Sequence, residues 1–148
     1  MKNKVLMMFA LILMITVVAF LSLSALIRNN KVTSISIRVV GQSIIGEKYN
    51  KNLNVTKTNN EFYLTYECTS KDSTKYCKCS DVTKLVTDED VNALLTQIKT
   101  LSDGGESAKC CDHPWTEIEV RYANSTVQRL TVIMEPIDIE KLFNINCN

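Results

Sequence analysis

The spacing of apolar residues changes along this chain, and each spacing predicts a different element. Residues 5–27 form an unbroken apolar run, softened only by Thr16, Ser22 and Ser24. Period two then begins: Ile35, Ile37 and Val39 alternate with Ser34, Ser36 and Arg38, the pattern of a strand with one buried face. Residues 47–60 are polar apart from Leu53 and Val55, which predicts a loop holding at most a short strand. Phe62, Leu64 and Tyr66 alternate again, and a further strand ending at Val86 is expected to pair with them.

Helical spacing follows. Thr87-Asp88-Glu89-Asp90 is a capping residue followed by three carboxylates, which favour the positive end of a helix dipole. Val91, Leu94, Leu95, Ile98 and Leu101 make one apolar stripe, and Asp103-Gly104-Gly105 is expected to end the helix. Ile118, Val120 and Tyr122, a turn at Ala123-Asn124-Ser125, and the alternating run 127–134 predict a hairpin. Pro136 is suited to a helix start, and Ile139, Leu142 and Phe143 give a short apolar face beyond it. The expectation is an α+β domain: an antiparallel sheet of about five strands, one main amphipathic helix and a short C-terminal helix, preceded by an N-terminal transmembrane or signal helix.

The chain has 148 residues, enough for one domain, and the division expected is a membrane segment at 1–27 and a folded domain at 28–148. Residues 5–27 are 23 long; as a helix they would measure about 34 Å, enough for a hydrocarbon core of roughly 30 Å. Lys2 and Lys4 favour a cytoplasmic N-terminus, although Arg28 and Lys31 follow the run closely. The alternative is a secreted protein cleaved after Ser24, since Ser22 and Ser24 are small residues at the right spacing. The length of the run favours the anchor, a single-pass span with the C-terminal domain extracytoplasmic.

Six cysteines, Cys68, Cys77, Cys79, Cys110, Cys111 and Cys147, all follow the apolar run. An even count beyond such a segment reads as disulfides in an oxidising compartment, with 15 complete pairings open. A second reading gathers Cys77, Cys79, Cys110 and Cys111 with His113 around a soft metal, but Cys-x-Cys and Cys-Cys crowd two ligands where zinc sites use wider spacing. A third is thiol exchange through Cys77-Lys78-Cys79, which lacks the Cys-x-x-Cys spacing. The leading expectation is no metal and no cofactor.

Net charge is +1, so no global electrostatic partner is implied. Residues 28–86 carry ten basic and five acidic groups, and 87–148 carry five and eleven; the basic excess is spread out as a solvated face without a cluster that would grip phosphates, so no nucleic-acid partner is expected. His113 is the only histidine, and no nucleophile motif or phosphate-cradling glycine loop accompanies it. The chain is therefore expected not to be an enzyme. Asp112, His113 and Trp115 are the candidate binding surface, because tryptophan is enriched where interfaces gain most of their energy. Asn54-Val55-Thr56 and Asn124-Ser125-Thr126 are glycosylation sequons. The function expected is a membrane-tethered or secreted domain that binds a partner protein or contributes to an envelope assembly. Its rivals are a cysteine-based metal or redox protein and an inhibitor of an extracytoplasmic enzyme.

Alkylation followed by intact-mass measurement separates these readings. We expect no alkylation before reduction and labelling of all six cysteines after it; thiols that react only once a chelator is added would favour the metal reading.

Overall fold

The computed structural model describes residues 12–16, 31–42, 48–70, 77, 81–109 and 113–145. Strands β1 (Val32–Gln42), β2 (Lys48–Thr58), β3 (Glu61–Ser70) and β4 (Val82–Val86) are followed by helix α1 (Asp88–Lys99) and a 3-10 turn at Gly105–Lys109. Strands β5 (Trp115–Tyr122) and β6 (Val127–Ile133) and the short helix α2 (Ile139–Leu142) complete the order. The six strands form one sheet in the order β4-β3-β2-β1-β5-β6, with every neighbouring pair antiparallel. The fold is α+β.

Alternation decides which face is buried. Tyr66, Leu53, Ile37 and Ile118 lie opposite one another across four strands, and Leu64, Val55, Ile35 and Val120 form the next row. All eight are buried. They join Val91, Leu94 and Ile98 of α1, and Ile137, Ile139, Phe143 and Ile145 around α2, in one hydrophobic cluster. The other face carries Ser36, Arg38, Asn54, Thr65, Glu117 and Glu119 at the intervening positions, partly or fully exposed.

The sixth strand is β2, where a loop was expected. Its odd positions Tyr49, Lys51, Leu53 and Val55 lie on the core side, and β1 and β3 pair with it along both edges. Asparagine and lysine have low strand propensity, but pairing on two sides overrides that preference. A two-residue turn fixes the register with β3: Asn59 and Asn60 both take positive φ, 53° and 68°, as a type I′ hairpin requires. At the far end of β2, the Tyr49 ring lies against Gly41 of β1, where a Cβ would fall 1.9 Å from the ring. Any side chain at Gly41 would displace that tyrosine.

Helix α1 begins where the sequence predicts. The Thr87 hydroxyl accepts from the Asp90 amide at 3.1 Å, and the Asp90 carboxylate accepts from the Thr87 amide at 3.0 Å. Its end differs: the helix stops at Lys99, before the expected Asp103-Gly104-Gly105. Those residues instead close the outer edge of β6. The Gly104 amide donates to the Thr131 carbonyl at 2.7 Å, and Asp103 Oδ1 accepts from the Thr131 amide at 2.9 Å. A strand edge left open there would present unpaired backbone groups to other chains. Asp138 caps α2, so Pro136 lies upstream of the helix start.

Two substitutions in α1 should differ in cost. Thr87→Ala removes the cap and should lower unfolding free energy by about 1 kcal/mol, whereas Leu94→Ala opens the core and should cost about 3 kcal/mol. Urea denaturation monitored by circular dichroism measures both, and equal costs would contradict this account of the helix.

Candidate functional site

Strand pairing sorts the loops between two ends of the sheet. Lys31, the Asn59-Asn60 turn, Thr87 and the hairpin tip at Asn124 share one end. The Ala123 amide donates to the Lys31 carbonyl there at 2.8 Å. The opposite end holds Tyr49, Ser70, His113, Trp115 and Met134. The sequence candidates His113 and Trp115 are thus at the end remote from Lys31. Asp112 lies outside the described residues.

Trp115 is half-buried on the open face of the sheet, with Val40 opposite it on β1 and Ile133 opposite it on β6. Ile133 is 50% and Met134 58% exposed, so this row is an apolar surface open to solvent. Its backbone is held firmly. The Met134 amide donates to the Pro114 carbonyl at 2.6 Å, and the buried Thr116 hydroxyl donates to the Met134 carbonyl at 2.6 Å. The Lys109 ammonium lies 5.5 Å from the Trp115 ring centre, a cation–π contact from the 3-10 turn. His113 is exposed and makes no hydrogen bond among the described residues.

Beside this row a groove of about 580 Å³ runs over β1, β5 and β6. Glu117 pairs with Lys109 at 3.1 Å and with Arg38 at 4.0 Å. Glu119 pairs with Arg121 at 2.6 Å and Arg129 at 2.8 Å. The Arg129 hydrogen bond, more than that of Arg121, holds the Glu119 carboxyl below its ordinary range. Backbone amides of Thr131 and Gly105 do the same for Asp103. Glu119 and Asp103 are thus held in the charged form by their partners, so the groove offers fixed charge rather than a proton donor there.

A second polar group lies on the core side. Lys51, 13% exposed, extends from β2 to Glu135 at 2.8 Å and Glu140 at 2.9 Å. The Tyr66 hydroxyl donates to Glu140 at 2.7 Å. Burial alone would discharge Lys51, but hydrogen bonds and charge from both glutamates outweigh it and raise its pKa. Burial likewise opposes the charge of Glu140, yet its bonds to Lys51 and Tyr66 hold its pKa below the ordinary value. Burial first, then the bond to Glu140, raises the Tyr66 pKa. Sequence reading missed this group, although Lys51 stands in phase with Leu53 and Val55. It also missed the groove, although Arg38, Glu117 and Glu119 occupy the outward phase of their strands.

Cys68 of β3 is bonded to Cys77, with Cα atoms 5.4 Å apart, and Lys51 is the cross-strand neighbour of Cys68. A Cys77 sulfur in a disulfide is not a thiolate ligand. Cys79, Cys110, Cys111 and Cys147 lie outside the described residues. Among the described residues, no group of three or more His, Cys, Asp or Glu could hold a metal ion. Asn54 lies mid-strand in β2, where its carbonyl accepts from the Ser36 hydroxyl at 2.8 Å. Asn124 lies in the hairpin turn, where it accepts from the Thr126 amide at 2.9 Å. Residues 12–16 are helical, with Ile12, Leu13, Met14 and Ile15 exposed. No helix among the described residues is long and apolar enough to cross a membrane; the rest of the 5–27 run lies outside them. No family model, curated protein or solved structure matches the chain.

Removing the lysine should reverse the acid response of stability. In the native protein the depressed Glu140 pKa contributes stability above the ordinary value of 4.5, and that contribution is lost as pH falls through the folded value. The raised Lys51 and Tyr66 pKa values contribute below 10.5 and 10.0, and are lost as pH rises past their folded values. Lys51→Met strands two acids near the core and should cost about 3 kcal/mol at neutral pH. That variant should regain stability on acidification while the native protein loses it. Urea midpoints across the acid range measure this, and parallel pH profiles would contradict it.

Proposed function

We propose that this chain is a membrane-tethered, non-catalytic domain that binds a partner protein on the extracytoplasmic side, through the open face of its sheet around Trp115. The observation that carries the reading is the solvent-open row of Val40, Trp115 and Ile133, continued by Met134. An aromatic anchor within a small apolar patch, bordered by fixed charges, is the composition of a protein-binding hot spot with its rim. The groove beside it supplies that rim through Arg38, Glu117 and Glu119.

Position supports the same reading. With residues 5–27 in a bilayer, β1 leads away from the membrane. Trp115 pairs with Val40, eight residues beyond Val32, or about 26 Å along the strand at ~3.3 Å per residue. The apolar row then lies at the end of the sheet far from Lys31, where a second protein can reach it. The partner can equally belong to an envelope assembly, since the face requires only complementary shape and charge. The paired state of Glu119 and Asp103 favours binding over acid–base chemistry.

A photoreactive phenylalanine in place of Ile133, in the full chain within its own membranes, tests this. Irradiation should give one discrete adduct, and Trp115→Ala should abolish it with the fold intact. The same replacement at Gln97, on the exposed side of α1, should give none. No adduct at Ile133, or identical adducts at both sites, would sink the proposal.

A further inference from the structure

At the Lys31 end of the domain, a groove of about 470 Å³ opens between the sheet and α1. Three lysines line it, each from a different element: Lys31 precedes β1, Lys57 belongs to β2, and Lys99 ends α1. Their convergence is therefore a product of the tertiary fold and leaves no cluster in the sequence. Asp88 is the one carboxylate among the lining residues. Among the described residues none of the three ammonium groups has a carboxylate within 4.0 Å, in contrast to Lys51 and Lys109. The Lys57 ammonium lies 4.8 Å from the Phe62 ring centre, at the edge of an apolar lining that includes Leu95 and Tyr122. The groove thus combines excess positive charge with a greasy wall.

We propose that this groove binds the phosphate headgroup of an anionic phospholipid in the membrane that holds the chain. The inference rests on the anchor reading above. Only residues 28–30 separate the apolar run from Lys31, and three residues reach at most about 11 Å. Lys31, which lines the groove, is therefore held near the bilayer surface. Phosphate complements the three lysines, and the apolar wall suits the glycerol and upper acyl carbons. Basic residues near such a surface are each drawn to it strongly enough for the contact to be measurable. The end of the sheet that carries Trp115 would be held outward as a result.

The test uses the full chain reconstituted in lipid nanodiscs, with lysine acetylation rates read by mass spectrometry. In discs containing phosphatidylglycerol, Lys31, Lys57 and Lys99 should react about fivefold more slowly than in phosphatidylcholine alone. Lys48, at the remote end, should react equally in both. Equal rates at the three groove lysines, in a chain that stays with the disc, would overturn the lipid site and leave the anchor standing. A chain that alkaline carbonate strips from the discs would overturn both. Protection of the three lysines by glycerol 3-phosphate as strong as that by the anionic discs would also overturn it, assigning the groove to a soluble phosphate ester.

Discussion

Lys51 is a cation set among core residues, and much of the architecture follows from satisfying it. Its ammonium cannot reach bulk water freely, so charge must be brought to it. Glu135 and Glu140 do this from opposite sides of the turn that leads into α2. The segment between them carries Ile137 and Ile139, both fully buried. Electrostatics and burial therefore act on the same stretch of chain: the ion pairs fix where the segment crosses the sheet, and the isoleucines supply the apolar contact. Tyr66 adds a hydrogen bond from β3, and the Lys84 ammonium donates to the Phe143 carbonyl from β4. The C-terminal segment is thus tied to three adjacent strands by polar contacts that only one register satisfies. A buried ion pair adds little net stability over an apolar replacement, but removing one partner strands the other's charge.

Elements with apolar alternation or a helical stripe were legible in the sequence, and those governed by distant partners were not. Ile35, Ile37 and Val39 announced β1 because one face of that strand is fully buried. Thr87 and Asp90 announced α1 because capping is a local interaction. Strand β2 was obscured by Lys51 and its asparagines, whose fitness for a strand comes from neighbours far along the chain. The end of α1 was misplaced for a related reason: Asp103 and Gly104 are committed to Thr131, a partner that spacing cannot show.

The candidate site was legible to a smaller degree. Composition singled out Trp115 and His113, and both lie at one end of the sheet. Composition could not supply Val40 and Ile133, which cross-strand register sets beside Trp115, or Lys109, which the 3-10 turn brings over its ring. Spacing likewise could not show that Lys31, Lys57 and Lys99 converge, or that Cys68 bonds Cys77. In each case the sequence offers the chemistry and the sheet supplies the neighbourhood.

Strand β1 lies at the centre of the sheet, and its two neighbours reach it from very different distances along the chain. Ile35 faces Val55 on one side and Val120 on the other. Pairing with β2 needs only a short loop closure, whereas pairing with β5 must wait until most of the domain has been synthesised. At roughly 5–20 residues per second, that delay lasts several seconds. During it, β1 is an unpaired edge with Ile35 and Ile37 lacking their β5 neighbours, Val120 and Ile118. The fold therefore has a high share of non-local contacts and a correspondingly slow final step. Until β5 arrives, a nascent chain therefore carries a strand edge open to pairing with a neighbour's.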